Sequence, residues 1–288
     1  MHGFFSYSPS ALEKMPIRPE NSNKGTFGRV LVIGGSPCMS GAAYFSAKTA
    51  YRTGTGLVQI LTHEDNRIIL QTQIPEAILS VYSESNFNED AISEAIEKAD
   101  VIVIGVGLGQ SPIAARLLAL TLSVADAPII ADADALNIIA KKLSLLDSVS
   151  APLIITPHMA EMARLCHTDI SEIMANTVGF ATSFAEKNSL ICALKDHETV
   201  VCDGNINSQV YINKSGNSGM STGGSGDVLT GIIAALIAQG MPLFDATTLG
   251  VYIHGLAGDA AADELGEYSV MASDIIEHIS TIIKDCRD

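Results

Sequence analysis

The segment Asn217-Ser-Gly219-Met-Ser-Thr-Gly223-Gly224-Ser-Gly226-Asp227 concentrates chemistry more densely than any other stretch of the chain. Five glycines fall in the twelve residues 216–227, and the apolar run VLTGIIAALIA follows directly. Glycines let backbone amides converge on an anion, and the start of a helix adds partial positive charge. Gly223, Gly224 and Gly226 are therefore expected beside a phosphate. Asp227, at the base of that helix, can take the proton of a hydroxyl held next to the phosphate, which is the layout for phosphoryl transfer to an alcohol. The competing reading is a flexible loop with Asp227 as a helix cap.

Four further constellations could contribute. In Thr156-Pro157-His158-Met-Ala-Glu161 the proline ends a strand-like run. His158 can donate or accept a hydrogen bond, and Glu161 can organise magnesium through water, although a lone histidine is more often structural or merely exposed. Lys195-Asp196-His197-Glu198-Thr199 joins two strand candidates; it can carry the base or ribose of a nucleotide, or be a solvated charged hairpin. Asp132-Ala-Asp134-Ala-Leu-Asn137 offers two carboxylates and an amide to a cation or to the next helix, with capping expected of at least one carboxylate. Gly105-Val-Gly107-Leu-Gly109-Gln110 has glutamine where a dinucleotide fingerprint needs its third glycine, so hydride transfer of the Rossmann kind is not supported. Gly107 there allows close approach to a ligand or simply a tight turn. The small-residue loop 34–41 is open to the same two readings, ligand approach or close helix–strand packing. No GxxxxGK[ST], GxSxG or HExxH occurs, so a Walker A site, a serine-hydrolase elbow and a zinc protease find no support.

These residues need a scaffold that brings them to one edge. Short apolar runs at 29–33, 57–61, 101–104, 129–131 and 153–155 read as strands, each running into a polar or glycine-rich loop. Helical patterns fall at 40–52, with Ser40 as N-cap, and at 89–98 and 160–166. Near-continuous apolar strands alternating with helices indicate an α/β fold with a mostly parallel sheet covered on both faces. Three more strands are expected at 189–194, 199–202 and 209–212, with a hairpin turn at Asp203-Gly204-Asn205, and closing helices at 224–239, 245–264 and 273–284. No linker, repeat or low-complexity segment interrupts residues 1–288, which read as one domain. In such sheets ligands sit beyond the carboxyl ends of the strands, where all these loops fall.

Composition sets outer limits. Hydrophobic residues are 47% and charged ones 17%, ample for a core. With 17 Lys plus Arg against 32 Asp plus Glu, the formal charge is −15, which argues against nucleic-acid or anionic-membrane partners. Tryptophan is absent, so base-stacking platforms are poorly supplied. No apolar run suits a transmembrane helix, and the first residues lack a secretory pattern. The five cysteines (Cys38, Cys166, Cys192, Cys202, Cys286) show no CxxC spacing, as expected of reduced thiols in a cytoplasmic protein without a disulfide framework or structural zinc.

Taken together, the motifs resemble those of the nucleotide-dependent NAD(P)H-hydrate dehydratases of the ribokinase-like superfamily. The resemblance rests on Lys24-Gly-Thr-Phe-Gly-Arg-Val-Leu-Val-Ile-Gly-Gly35, Ser40-Gly-Ala-Ala43, Arg52-Thr-Gly-Thr-Gly-Leu-Val58, Pro75-Glu76 and Gly105-Val-Gly-Leu-Gly109. It rests equally on Asp132-Ala-Asp-Ala-Leu-Asn137, Thr156-Pro-His158 with Glu161, and Gly219-Met-Ser-Thr-Gly-Gly-Ser-Gly-Asp-Val-Leu-Thr-Gly231. Ala160, Asp196 and Val106 depart from the usual Gly, Gly and Pro without removing a chemical group. The resemblance implies a repair enzyme that dehydrates the S epimer of hydrated NADH or NADPH, using ADP or ATP with Mg2+. Ala42, Gly107 and His158 would line the hydrate site, and Asp227 would contact the reacting hydroxyl. Lys195, Asp196, His197, Glu198 and Thr199 would hold the nucleotide, with Gly226 beside its phosphates. His158 stands where sugar and alcohol kinases of the superfamily typically carry Asn, which favours the dehydratase over a small-alcohol kinase. A non-catalytic nucleotide sensor is disfavoured by the presence of Asp227 and Lys195. The resemblance also implies a homotetramer, and an epimerase acting as a separate protein, since no epimerase domain precedes Lys24.

Overall fold

A computed structural model describes residues 3–205 and 209–284; Cys286 lies outside them. The strands are β1 (Phe4–Phe5), β2 (Arg29–Ile33), β3 (Leu57–His63), β4 (Ile78–Tyr82), β5 (Val101–Ile104), β6 (Ile129–Ala131), β7 (Leu153–Ile155), β8 (Ile191–Leu194), β9 (Val200–Asp203) and β10 (Val210–Ile212). The α-helices are α1 (Ser40–Arg52), α2 (Arg67–Gln73), α3 (Glu89–Glu97), α4 (Pro112–Val124), α5 (Asp134–Lys141), α6 (Met159–Cys166), α7 (Ile170–Ala175), α8 (Thr177–Asn188), α9 (Ser225–Ala238), α10 (Leu243–Leu265) and α11 (Ala272–Lys284).

All ten strands belong to one sheet in the order β1-β10-β9-β8-β7-β6-β5-β2-β3-β4. Pairing is parallel throughout except at β9, which runs antiparallel to both β8 and β10. The period-2 alternation of strand side chains divides the core in two. Val30, Val32, Val101 and Val103 face a layer that includes α1, α9, α10 and α11. Leu31, Ile33, Ile102 and Ile104 face a layer that includes α3, α4, α5, α6 and α8. The expected parallel α/β sheet with helices on both faces is what forms.

Helix α9 is buried on every side from Val228 to Ile237, as an apolar helix without a polar face must be. Its neighbours approach through small residues. A Cβ on Gly231 would lie 2.4 Å from the Ser46 carbonyl oxygen of α1, and one on Gly250 of α10 would lie 2.7 Å from Ile233. This packing fixes where the N-terminus of α9 points.

Two local expectations need correction. Ser40 is the first helical residue of α1 rather than its cap; the N-cap is Met39, whose side chain accepts no first-turn amide. Neither Asp132 nor Asp134 caps α5: its N-cap is Ala133, without a side-chain bond. Both carboxylates are engaged elsewhere. Among the described residues no helix is long and apolar enough to cross a membrane.

Candidate active site

A cavity of about 810 Å³ opens beyond the carboxyl ends of β6, β7 and β8. The 195–199 loop, the loop that leaves β10, the start of α9 and one face of α10 wall it. At its floor Lys195, the residue after β8, donates from Nζ to Asp132 Oδ1 at 2.7 Å. Asp132 follows β6 and is 2% exposed. A Cβ added to Gly226 would stand 3.2 Å from Lys195 Nζ and 3.4 Å from Asp132 Oδ2. The first turn of α9 is therefore laid directly on this ion pair, and a side chain at Gly226 would press on it.

Electrostatics at this floor are displaced from their ordinary values. Burial pushes the Asp227 carboxyl up to about 7; Asp132 and Asp134 add to the rise, and Lys195 opposes it. Burial also raises Glu161 to about 7, against the pull of Lys195. For Lys195, burial acts downward, but Asp132, Glu161 and Asp227 outweigh it and hold the ammonium above its usual range. One cation thus serves three carboxylates, and two of those carboxylates exchange protons near neutrality. Carboxyl groups tuned this way are suited to general acid–base work.

His158 and Glu161 form a reciprocal cap at the start of α6. His158 Nδ1 accepts from the amides of Ala160 (3.1 Å) and Glu161 (3.3 Å), while Glu161 Oε2 accepts from the His158 amide at 2.8 Å. The half-exposed imidazole faces the cavity, and Glu161 is buried beside it. Burial, then Lys195 and Arg164, lower His158, which keeps it neutral.

The 195–199 loop combines both sequence readings. The Lys195 amide bonds the Pro157 carbonyl at 2.8 Å and the Thr199 hydroxyl closes on the Asp196 carbonyl at 3.2 Å, so its two ends are fixed. Asp196, His197 and Glu198 between them are exposed. Lys195, Asp196, His197 and Thr199 line the cavity, as do Gly224, Gly226 and Asp227. Glu198 and Gly223 lie outside its lining.

Ala42 and Gly107 are brought together, but on the β2–β5 side and outside that lining. Gly107 has φ +56°, and a Cβ there would lie 2.8 Å from Ala42 Cβ. The glycine serves a tight turn and close helix–turn packing. Asp134 clamps the same turn: its Oδ2 accepts from the Gly109 amide at 2.8 Å and its Oδ1 from Gln110 Nε2 at 3.3 Å. Ala133, on the cavity wall, holds φ +50°, an unusual conformation for a residue with a side chain and one that costs on the order of 1–3 kcal/mol.

Sequence reading overlooked a wall of the cavity. Met220 packs against Gly258 of α10, where an added Cβ would meet its sulfur at 2.2 Å, and Ser215 packs against Gly255, where an added Cβ would lie 2.1 Å from its hydroxyl oxygen. Asp259 accepts from the Gly216 amide at 2.9 Å and from Asn217 Nδ2 at 3.0 Å, tying the glycine-rich loop to α10. His254, also on α10, reaches the cavity with Nε2 3.2 Å from Ser225 Oγ. Its signal in the sequence is a lone histidine within the apolar stretch 249–256 of α10.

A mostly parallel sheet between two helical layers, with a glycine-opened helix and a buried carboxylate at its carboxyl edge, defines a ribokinase-like α/β protein. The chain belongs to the NAD(P)H-hydrate dehydratase family, whose sequence profile matches residues 30–281. It is 37% identical over 283 residues to a bifunctional NAD(P)H-hydrate repair enzyme of Moorella thermoacetica, covering 96% of this chain and 53% of that protein. The chain spans about half the length of the curated relatives it matches first. An ADP-dependent (S)-NAD(P)H-hydrate dehydratase of Neisseria meningitidis is 36% identical over 254 residues, 86% of this chain and 82% of the other. The Bacillus subtilis ADP/ATP-dependent NAD(P)H-hydrate dehydratase, solved with ATP and Mg2+, superposes with a TM-score of 0.85 at 27% identity, covering 99% of each chain.

Proposed function

We propose that the chain dehydrates the S epimer of hydrated NADH or NADPH, consuming ADP or ATP and restoring the reduced cofactor. The observation that carries the reading is the meeting of Asp227, poised near 7, with the glycine start of α9 and the Lys195–Asp132 pair in one cavity. The names of the relatives supply the substrate class.

In this reading Asp227 accepts the proton of the ring hydroxyl. The hydroxyl oxygen bonds to the terminal phosphorus, and the bond from that phosphorus to the nucleotide breaks, releasing AMP when ADP is the donor. Lys195 and the amides at Gly223, Gly224 and Gly226 stabilise the charge that builds on the phosphoryl oxygens. The ring nitrogen's lone pair then expels phosphate, and loss of a ring proton restores the dihydropyridine. Asp196, His197, Glu198 and Thr199 hold the nucleotide; Ala42, Gly107 and His158 border the hydrate. Among the described residues no group of three or more His, Cys, Asp or Glu side chains is arranged to hold a metal. A Mg2+ brought in with the nucleotide would be held from this chain by Glu161, through water. When bound, the ion neutralises phosphate charge. We further propose one catalytic domain, acting as a cytoplasmic homotetramer beside a cofactor-hydrate epimerase, a pairing supported by the bifunctional relatives.

The test mixes the protein with hydrated NADH, Mg2+ and either ADP or ATP and follows the near-ultraviolet absorbance of reduced nicotinamide. Nucleotide-dependent recovery is expected, and the faster nucleotide identifies the donor. No recovery with either would discard the reading.

A further inference from the structure

Ser225 and His254 have no part in the scheme above. Ser225 is the first residue of α9, between Gly224 and Gly226, and is buried at the cavity wall. It does not cap its helix: the N-cap is Gly224, and no side chain accepts the first-turn amides. Its hydroxyl instead meets Nε2 of His254, which α10 delivers from the far side of the cavity at 3.2 Å. Burial, reinforced by Lys195, depresses His254 to about 4, so the imidazole is neutral at physiological pH. A neutral imidazole carries one N–H and one lone pair. With an anion against the first turn of α9, the hydroxyl proton of Ser225 is drawn towards it and Oγ is left to accept. Only the tautomer with hydrogen on Nε2 satisfies that arrangement.

We propose that Ser225 donates its hydroxyl proton to the phosphoryl group transferred at the start of α9, and that His254, protonated on Nε2, is the positioning residue that fixes this hydroxyl. The inference rests on the phosphoryl-transfer reading above. A serine hydroxyl left to itself rotates among three staggered positions; a donor already aimed needs no reorganisation as charge develops.

The experiment compares wild type, Ser225→Ala, His254→Leu, His254→Gln and the Ser225→Ala/His254→Leu pair in the full chain with hydrated NADH, ADP and Mg2+. Both Ser225→Ala and His254→Leu should lose kcat on the order of 10²-fold, as for other preorganised donors. KM for ADP should hold steady, because the contact strengthens in the transition state. The double variant should be no worse than the poorer single one, since the two residues act through one hydroxyl. His254→Gln, whose amide N–H can reach the same oxygen, should recover most of the loss. Multiplying losses, a glutamine variant as poor as leucine, or an effect on KM alone would overturn the proposal. If His254→Leu fails to fold, as a melting curve would reveal, Ser225→Ala and His254→Gln decide alone. Wild type without nucleotide-dependent turnover refutes the underlying reading and this inference with it. Wild-type turnover alongside an unimpaired Ser225→Ala refutes this inference only.

Discussion

Along one sheet edge, the ends of β6 to β8 and the ends of β2 and β5 are built on opposite plans. Beyond β6 to β8, charged side chains are drawn under cover: Asp132, Glu161, Lys195 and Asp227 share one small volume, where burial and the charges of Asp132 and Lys195 displace the carboxyls of Glu161 and Asp227. Beyond β2 and β5 the turns carry no charged side chain and the backbone itself comes close. A Cβ on Gly34 would lie 2.3 Å from the Val106 carbonyl oxygen, and one on Gly107 would strike Ala42. The first plan supplies proton and charge chemistry, and its order depends on mutual compensation. The second supplies shape, and its order depends on the absence of atoms.

The sharpest way to break this contrast is Asp227→Asn. General-base catalysis contributes about 10²–10⁴-fold, so turnover should fall at least that far while nucleotide binding, measured by calorimetry, persists. Near-normal turnover would remove Asp227 from the chemistry. Lys195→Met tests mutual compensation. It strands Asp132, which is 2% exposed, and should cost about 3–5 kcal/mol in denaturant unfolding. A loss below about 1 kcal/mol would mean that water already screens the pair.

The raised carboxyl of Asp227 gives a signed pH effect. Its folded value near 7 lies above the ordinary 3.8, so the folded state holds the proton more tightly and stability falls as pH rises between those values. Asp227→Asn should flatten that limb and be more stable than wild type at pH 8, a gain opposite in sign to its loss of activity. Unfolding midpoints across pH 4–8 check this, and an unchanged slope would contradict it. On the other plan, Gly107→Ala should destabilise by about 1–3 kcal/mol, through its positive φ and the 2.8 Å approach to Ala42. Gly223→Ala, where an added Cβ meets nothing within 4 Å, should stay within about 0.5 kcal/mol. Equal effects at the two glycines would erase the distinction.

The sequence reveals the second plan poorly and the first only in pieces. Strands such as Val101–Ile104 were legible because a buried parallel strand is apolar throughout. Phe4–Phe5 was not, being two residues whose pairing with Val210 and Tyr211 lies some two hundred positions away. Ile78–Tyr82 escaped notice because an edge strand keeps Ile78 exposed and blurs the alternation. In the site, the glycine start of α9 and Asp227 could be read because glycine, carboxylate and apolar helix are contiguous. The Lys195–Asp132 bond spans 63 positions, and nothing local marks it. The carboxylates after β6 carried the opposite lesson: their spacing suits capping, yet tertiary partners claimed both.

Helix α9 opens on a glycine, with no side chain closing its first turn. In the language of linkage, the nucleotide phosphate proposed for this position would complete the helix, and only in the folded chain. Folding stability then becomes a function of nucleotide supply, rising by about 2.7 kcal/mol when the ligand stands at one hundred times its Kd. Under the proposed function, resistance to limited proteolysis should therefore rise as ADP or ATP is added.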